Sequence, residues 1–458
     1  MKNGSCKRLV FLLVLWILLP ITVLKAQGVT KVVDNGPDGQ KLTFVVLGDG
    51  YDQSDQVKFA EDVERLVVKG VLGHDFYKDN FAAFNVYRID LVSRESGVSH
   101  PGESRDTALR VIYSGDWNRC WLEESPETDQ RIVDATAGVN KFDFVLVIAN
   151  EGGYGGCQRG GRLYITAGDD WDVVSHEYGH GIAGLYDEYS VSGSYTTPPI
   201  NVKNCSTVKD RKGVSWSKLI NQNTPVPTDS ATALDPNQTV GVFTGCDYAV
   251  TGIYRPVQNC RMKTNTPGFC PVCLGLMNKA VARYLPAQAA AAGNAAPPPQ
   301  ASASGSYVSL VIKLTRNEDP KILRARQISG ILVTPANIPA YLFAFTKKEK
   351  PAFVGGLSDS PFVVRGFVDP HHPEKGEKLA ESDSSTVIIN VPDIDMSSAT
   401  HDLGMRIFSV GPAGMRAFAN TAENKYAELL KTLLNANSLA LKADMPASKL
   451  GGAVQSIQ

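Results

Sequence analysis

Histidine is scarce in this chain, with seven in 458 residues. Cysteine is scarce too: there are eight, and none lies beyond Cys273, so disulfides cannot organise the rest of the chain. That density also excludes a small disulfide-dominated scaffold. Neither sign of charge dominates, with 46 Lys and Arg against 47 Asp and Glu, and no basic block or Arg-rich tract occurs. Nucleic acid is therefore not an expected partner. Long apolar runs are absent outside the N-terminus, so no later segment is expected to span a bilayer. No internal repeat is visible. With 43% hydrophobic and 20% charged residues the composition is that of a globular protein, which excludes wholesale disorder and fibrous repeats. The length allows roughly two to three domains.

Met1–Ala26 reads as an export signal. Lys2, Lys7 and Arg8 precede the apolar run Leu9–Leu24, and Leu24-Lys25-Ala26 ends in a small residue before Gln27. The alternative is an uncleaved membrane anchor, but the run is short for a spanning helix and contains Pro20. A secreted or periplasmic protein without stable membrane insertion is expected. Cleavage removes four cations and no acids, taking the net charge from −1 to −5. Seven cysteines then remain: Cys120, Cys157, Cys205, Cys246, Cys260, Cys270 and Cys273. An oxidising compartment favours disulfides among them, and the odd count leaves one over. Cys270-Pro271-Val272-Cys273 has the C-x-x-C spacing of zinc ribbons and redox proteins, but no second such pair completes a four-cysteine site. Disulfides are the favoured reading there, with a metal or redox role as the alternative.

Composition marks out four parts: a signal peptide (1–26), a first domain (27–285), an Ala/Pro/Ser linker (286–306) and a second, β-rich domain (307–458). The linker cannot build a packed core. In the first domain Lys41–Leu47, Phe84–Val92 and Phe142–Ala149 read as strands, the last as a central one, and Val57–Val71 has helical periodicity. Asn150–Gly161 is glycine-rich and reads as a loop. Strands alternating with helices predict an α/β or α+β domain on one mixed sheet. In the second domain Tyr307–Leu314, Ile331–Val333, Tyr341–Phe345, Val387–Val391 and Met405–Val410 are short β-type runs, suggesting a small β-sandwich. Asn420–Leu441 reads as an amphipathic helix, with Asn420 and Glu423 as a capping pair, and ends that domain.

The chemistry concentrates in WDVVSHEYGHGIAGLYDEY, residues 171–189. His176-Glu177-Tyr178-Gly179-His180 is an HExxH. Residues four apart share one helix face, so both imidazoles can reach one metal ion with Glu177 beside it. Zinc, one per chain, suits imidazole nitrogen and keeps an open coordination position, and Glu177 is placed as general base. Asp169, Asp170 and Asp172 supply the N-cap and acid-rich first turn expected of a helix start. The third ligand is Asp187, Glu188 or a more distant residue. On a straight helix Asp187 would lie about 10 Å past His180, so it can bind only if the helix ends or bends near Gly181 or Gly184. Tyr189 and Tyr248 are read as packed aromatics with satisfied hydroxyls rather than oxyanion donors. His74, His100, His371, His372 and His401 are scattered and read as exposed or structural.

The run HEYGHGIAGLYDEY resembles the signature of the IgA-protease-type zinc metallopeptidases, secreted bacterial enzymes related to the metzincins. Leu47-Gly48-Asp49-Gly50-Tyr51, Phe84-Asn85-Val86, Ser93–Gly97, Asp106-Thr107-Ala108, Tyr154-Gly155-Gly156, Asn259-Cys260-Arg261-Met262 and Phe269–Cys273 agree with it. The resemblance covers about Val33–Leu285. It implies a metzincin-like catalytic fold, His176, His180 and Asp187 as zinc ligands, Glu177 as catalytic base, and Met262 as a Met-turn beneath the metal. The usual metzincin spacing is HExxHxxGxxH/D; here the glycine and aspartate each come one residue later, at Gly184 and Asp187. The expected activity is that of a secreted endopeptidase acting on protein or peptide. A metal-dependent amidase or deacylase, and a non-enzymatic binding protein, are the alternatives.

Overall fold

The structure is a computed structural model that describes residues 28–114, 121–159, 161–190, 201–286, 305–330, 341–347, 350–357, 362–366, 380–392, 403–411, 414, 417–418, 426–435 and 439–446. The export signal Met1–Ala26, most of the linker 286–306, the run Ile331–Val333, Cys120, His371, His372, His401 and the pair Asn420 and Glu423 lie outside the described residues.

The first described elements are β1 (Gly28–Val33), β2 (Leu42–Asp49), α1 (Gln56–Val63), α2 (Asp75–Asp79), β3 (Phe84–Asp90), β4 (Val111–Tyr113), β5 (Leu122–Glu124), α3 (Thr128–Ala135), β6 (Phe144–Ala149), β7 (Gly156–Arg159), β8 (Arg162–Thr166) and α4 (Trp171–Ala183). Six of these strands form a mixed sheet in the order β1-β3-β2-β6-β8-β7. The inner strands β3, β2, β6 and β8 run parallel, while β1 and β7 pair antiparallel on either side. β7 replaces part of the loop expected over 150–161: Gly156–Arg159 pairs with Arg162–Ile165 as a hairpin.

The central strands β2 and β6 are covered on both faces. Phe44, Val46, Leu146 and Ile148 pack toward α4, and Val45, Leu47, Val145 and Val147 pack into a second core on the other side. Burial on both faces is why these segments are continuous apolar runs instead of alternations. α1 continues into a π-helical stretch, Glu64–Val71, that lies against α4. The half closes with β9 (Asn201–Val202), β10 (Cys205–Ser206), β11 (Phe243–Cys246) and β12 (Ala249–Arg255) in a small sheet, then α5 (Arg261–Thr264) and α6 (Pro271–Val281). A Cys205–Cys246 disulfide ties that sheet together.

Beyond residue 305 come β13 (Gly305–Thr315), β14 (Lys321–Gly330), β15 (Tyr341–Lys347), β16 (Lys350–Leu357), β17 (Val363–Gly366), β18 (Ala380–Glu381), β19 (Ser384–Pro392), β20 (Leu403–Val410), α7 (Tyr426–Asn435) and β21 (Leu439–Met445). The sheets β14-β13-β19 and β16-β15-β20-β21 share one core. Phe343 and Phe345 enter it, while Leu342 and Ala344, on the opposite face of β15, pack with Leu430 and Leu433 of α7. The expected helix Asn420–Leu441 is shorter than its periodicity suggests. Leu439–Met445 is a strand, because it completes the edge of β20 in antiparallel register, so among the described residues a strand and not the helix comes last.

The two halves are joined through backbone and charge. β17 pairs antiparallel with β7, extending the main sheet to eight strands. Asp129 of α3 meets Lys313 Nζ at 2.6 Å, accepts from Thr386 Oγ1 at 2.5 Å, and pairs with Arg162. Burial alone would raise the pKa of this carboxyl, but the Arg162 and Lys313 cations outweigh burial and hold it down at about 2.

Candidate metal centre

α4 starts from Asp170, whose extended backbone makes it the N-cap, and carries Asp172 in its first turn, where the helix dipole favours an acid. Asp169 serves differently from the sequence expectation. Its carboxylate accepts from the Thr166 and Gly155 backbone N–H groups at 2.7 and 3.1 Å, and burial pushes its pKa up to about 7 in spite of those bonds.

The helix ends at Ala183. Gly184 adopts φ 58° and ψ 40°, the left-handed region that glycine enters without a steric penalty. The Gly184 N–H donates to His180 O at 2.8 Å and the Leu185 N–H to Gly179 O at 3.2 Å. This cap satisfies the last carbonyls and reverses the chain. The reversal returns Asp187 to the face of α4 that carries the histidines. Asp187 Oδ1 lies 3.0 Å from His176 Nε2 and 3.2 Å from His180 Nε2, and the two Nε2 atoms are 3.2 Å apart.

The far side of each ring fixes its proton. His176 Nδ1 is 2.8 Å from Arg261 O, and His180 Nδ1 is 2.7 Å from Leu185 O. A carbonyl only accepts, so both Nδ1 atoms carry hydrogen, and in the neutral rings both Nε2 lone pairs point at the Asp187 oxygen. Three buried acceptor atoms then converge, an arrangement that needs a cation among them. The electrostatics agree: burial disfavours a charged His176, but the Asp187 carboxylate outweighs it and raises the pKa. Two imidazoles and one carboxylate form a donor set that fits zinc with a position left open. Glu177, fully buried, sits within electrostatic reach of His176. Of these four buried residues His180 is the most exposed, at 6%.

Two neighbours support the group. Met262 is buried beneath α4; a β-carbon on Gly179 would stand 2.8 Å from its Sδ, so only glycine admits the sulfur there. Tyr248 Oη donates to Asp187 Oδ2 at 2.9 Å and accepts from Tyr189 Oη at 3.0 Å. Tyr248 lies in the two-residue turn Asp247–Tyr248 between Cys246 and Ala249, both at positive φ, 47° and 67°. A tyrosine at positive φ is uncommon and marks a constrained position. Tyr248, expected as a packed aromatic with a satisfied hydroxyl, finds the partner for that hydroxyl in Asp187. The only sequence signal for this turn was its Gly245-Cys246-Asp247 approach, and nothing local announced the partner.

Glu188 points elsewhere. Its Oε1 accepts from Asn204 Nδ2 at 3.0 Å and lies 3.2 Å from Cys273 Sγ. His74 stacks on Trp171 and His100 pairs with Glu151, both apart from the centre.

Residues 30–235 match the family model described as IgA Peptidase M64. The matched stretch includes α4 and Asp187 and stops before Tyr248, Met262 and the segment from Cys260 to Cys273. The comparison with curated proteins returned no match.

Proposed function

From the match of residues 30–235 to the IgA Peptidase M64 family model, we propose that the chain is an exported zinc endopeptidase whose centre is His176, Glu177, His180 and Asp187. The observation that carries this is the convergence of His176 Nε2, His180 Nε2 and Asp187 Oδ1 within 3.2 Å of one another. Those three atoms would hold the ion. A bound zinc ion supplies Lewis acidity, making water a stronger nucleophile near neutral pH and polarising the scissile carbonyl. Glu177 takes the proton of the attacking water and passes it to the leaving amine. The Arg261 and Leu185 carbonyls keep both rings in the ligating tautomer, and Tyr248 holds Oδ2 so that Oδ1 faces them.

The HExxH helix against a mixed sheet, with Met262 under it, supports a metzincin-like arrangement for 27–285, with 307–458 as an accessory domain. Export rests on the pattern of Met1–Ala26 and agrees with the Cys205–Cys246 disulfide. No helix among the described residues is long and apolar enough to cross a membrane. The substrate is a protein or peptide.

The test is protein digestion by the purified chain with and without 1,10-phenanthroline, followed by zinc add-back. Loss on chelation and recovery with zinc are expected. Undiminished digestion after the metal has been shown to be gone would reject the reading.

A further inference from the structure

Three cysteines remain unbonded among the described residues: Cys260, Cys270 and Cys273. All three are fully buried, and so is Glu188. Their ligand atoms lie within 4.8 Å of one another. Cys260 Sγ is 3.9 Å from Cys273 Sγ, and Cys273 Sγ is 3.2 Å from Glu188 Oε1. A disulfide requires sulfurs about 2.05 Å apart. Thiolates about 2.3 Å from one tetrahedral ion stand roughly 3.8 Å from each other, close to the 3.9 Å between Cys260 and Cys273. Backbone N–H groups point at two of the sulfurs, Cys270 N to Cys260 Sγ at 3.3 Å and Cys273 N to Cys270 Sγ at 3.5 Å. Such donors stabilise thiolate charge. The second oxygen of Glu188, Oε2, is buried with no hydrogen-bond partner, a costly state for a carboxylate unless something else meets it.

We propose that Glu188, Cys260, Cys270 and Cys273 form a second, structural metal site that takes a thiophilic divalent cation, zinc foremost. Pairing any two of the sulfurs would strand the third and leave the carboxylate buried beside it, whereas one tetrahedral ion uses all four groups. Soft thiolates with no open position describe a structural and not a catalytic site. Three thiolates and a carboxylate exceed the charge of one dication, and the largely buried Arg255 guanidinium acts on Glu188 electrostatically from nearby.

The location gives the ion a task. Glu188 follows Asp187 directly, and its N–H donates to Met262 O at 2.6 Å. Cys260 precedes Arg261, whose carbonyl holds His176. Cys270 is the N-cap of α6, with Pro271 in its first turn. One ion would thus clamp the returning strand of the histidine helix to the Met262 segment and to α6. The site needs none of the His176 centre's atoms.

The experiment uses the full mature chain, exported and purified without chelators. Metal is counted by plasma mass spectrometry in the wild type and in a His176→Ala/His180→Ala variant. Two zinc ions per chain are expected in the wild type and one in the variant. A thiol-directed mercurial should release the variant's ion into a chromophoric chelator. Zinc X-ray absorption of the wild type should show a sulfur shell at about 2.3 Å, which requires no variant to fold. Absence of that shell, or a disulfide among the three cysteines in non-reducing peptide mapping, would overturn the proposal. A wild type with a single ion that survives loss of both histidines would leave this site standing and remove the catalytic one.

Discussion

Tyr248 Oη donates to one oxygen of Asp187 at 2.9 Å while the other oxygen of the same carboxylate faces His176 and His180. Residue 248 thereby orients a group 61 positions earlier. A ligand carboxylate whose second oxygen is held cannot rotate, and its lone pairs stay aimed at the imidazoles. Tyr248→Phe should weaken zinc binding by roughly tenfold or more, the usual effect of removing a hydrogen bond to a ligand. Competition with a chromophoric chelator measures it, and unchanged affinity would show that the hydroxyl plays no positioning part.

Glu177→Gln preserves shape and leaves His176, His180 and Asp187 untouched. It should keep its catalytic metal and lose at least about 100-fold in kcat, the scale of general base catalysis. Near-normal turnover in a metal-replete sample would require a different base.

Asp187→Ala should lose both zinc affinity and rate, because two imidazoles alone hold the ion weakly. Glu188→Ala should spare the His176 centre's metal when that centre is assayed at saturating zinc. The reverse pattern would exchange the roles of the two neighbouring carboxylates.

Gly179→Ala places a methyl 2.8 Å from Met262 Sδ and 3.1 Å from a Phe269 ring carbon. Overpacking of this kind costs about 1–3 kcal/mol. A lower Tm is expected, with partial recovery in Gly179→Ala/Met262→Ala. No recovery in the double variant would mean the strain lies in the helix itself.

Acid should loosen the junction between the halves. The Asp129 pKa is about 2 in the folded chain and about 3.9 when unfolded. The folded state therefore binds fewer protons, and the stability from Asp129, present above about pH 4, is lost as pH falls toward 2. Asp129→Asn should be less stable than wild type at pH 7 and should flatten the decline between pH 4 and 2. Parallel acid-unfolding curves would count against the network.

Much of the inner architecture was legible in the chain itself. Residues 44–47 and 144–149 are unbroken apolar runs, the pattern of strands covered on both faces. His176 and His180 share a face because 3.6 residues make a turn, whatever surrounds them. Other features needed the third dimension. Asp187 and Glu188 are adjacent acids that local pattern cannot rank. The left-handed Gly184 turns the chain, neighbouring side chains then diverge, and one reaches the histidines while the other reaches the cysteines. Tyr248 joins Asp187 only because β11 and β12 fold back behind it. The C-x-x-C pair acquires Cys260 and Glu188 from separate segments, so no spacing rule could count four ligands. Leu439–Met445 left its helical pattern because β20 offered unpaired backbone groups, and Gly156–Arg159 became a strand between β8 and β17 for the same reason. Local periodicity records which face of an element is buried. Which distant element covers it, and which side chains meet there, is settled by packing between segments that the sequence keeps far apart.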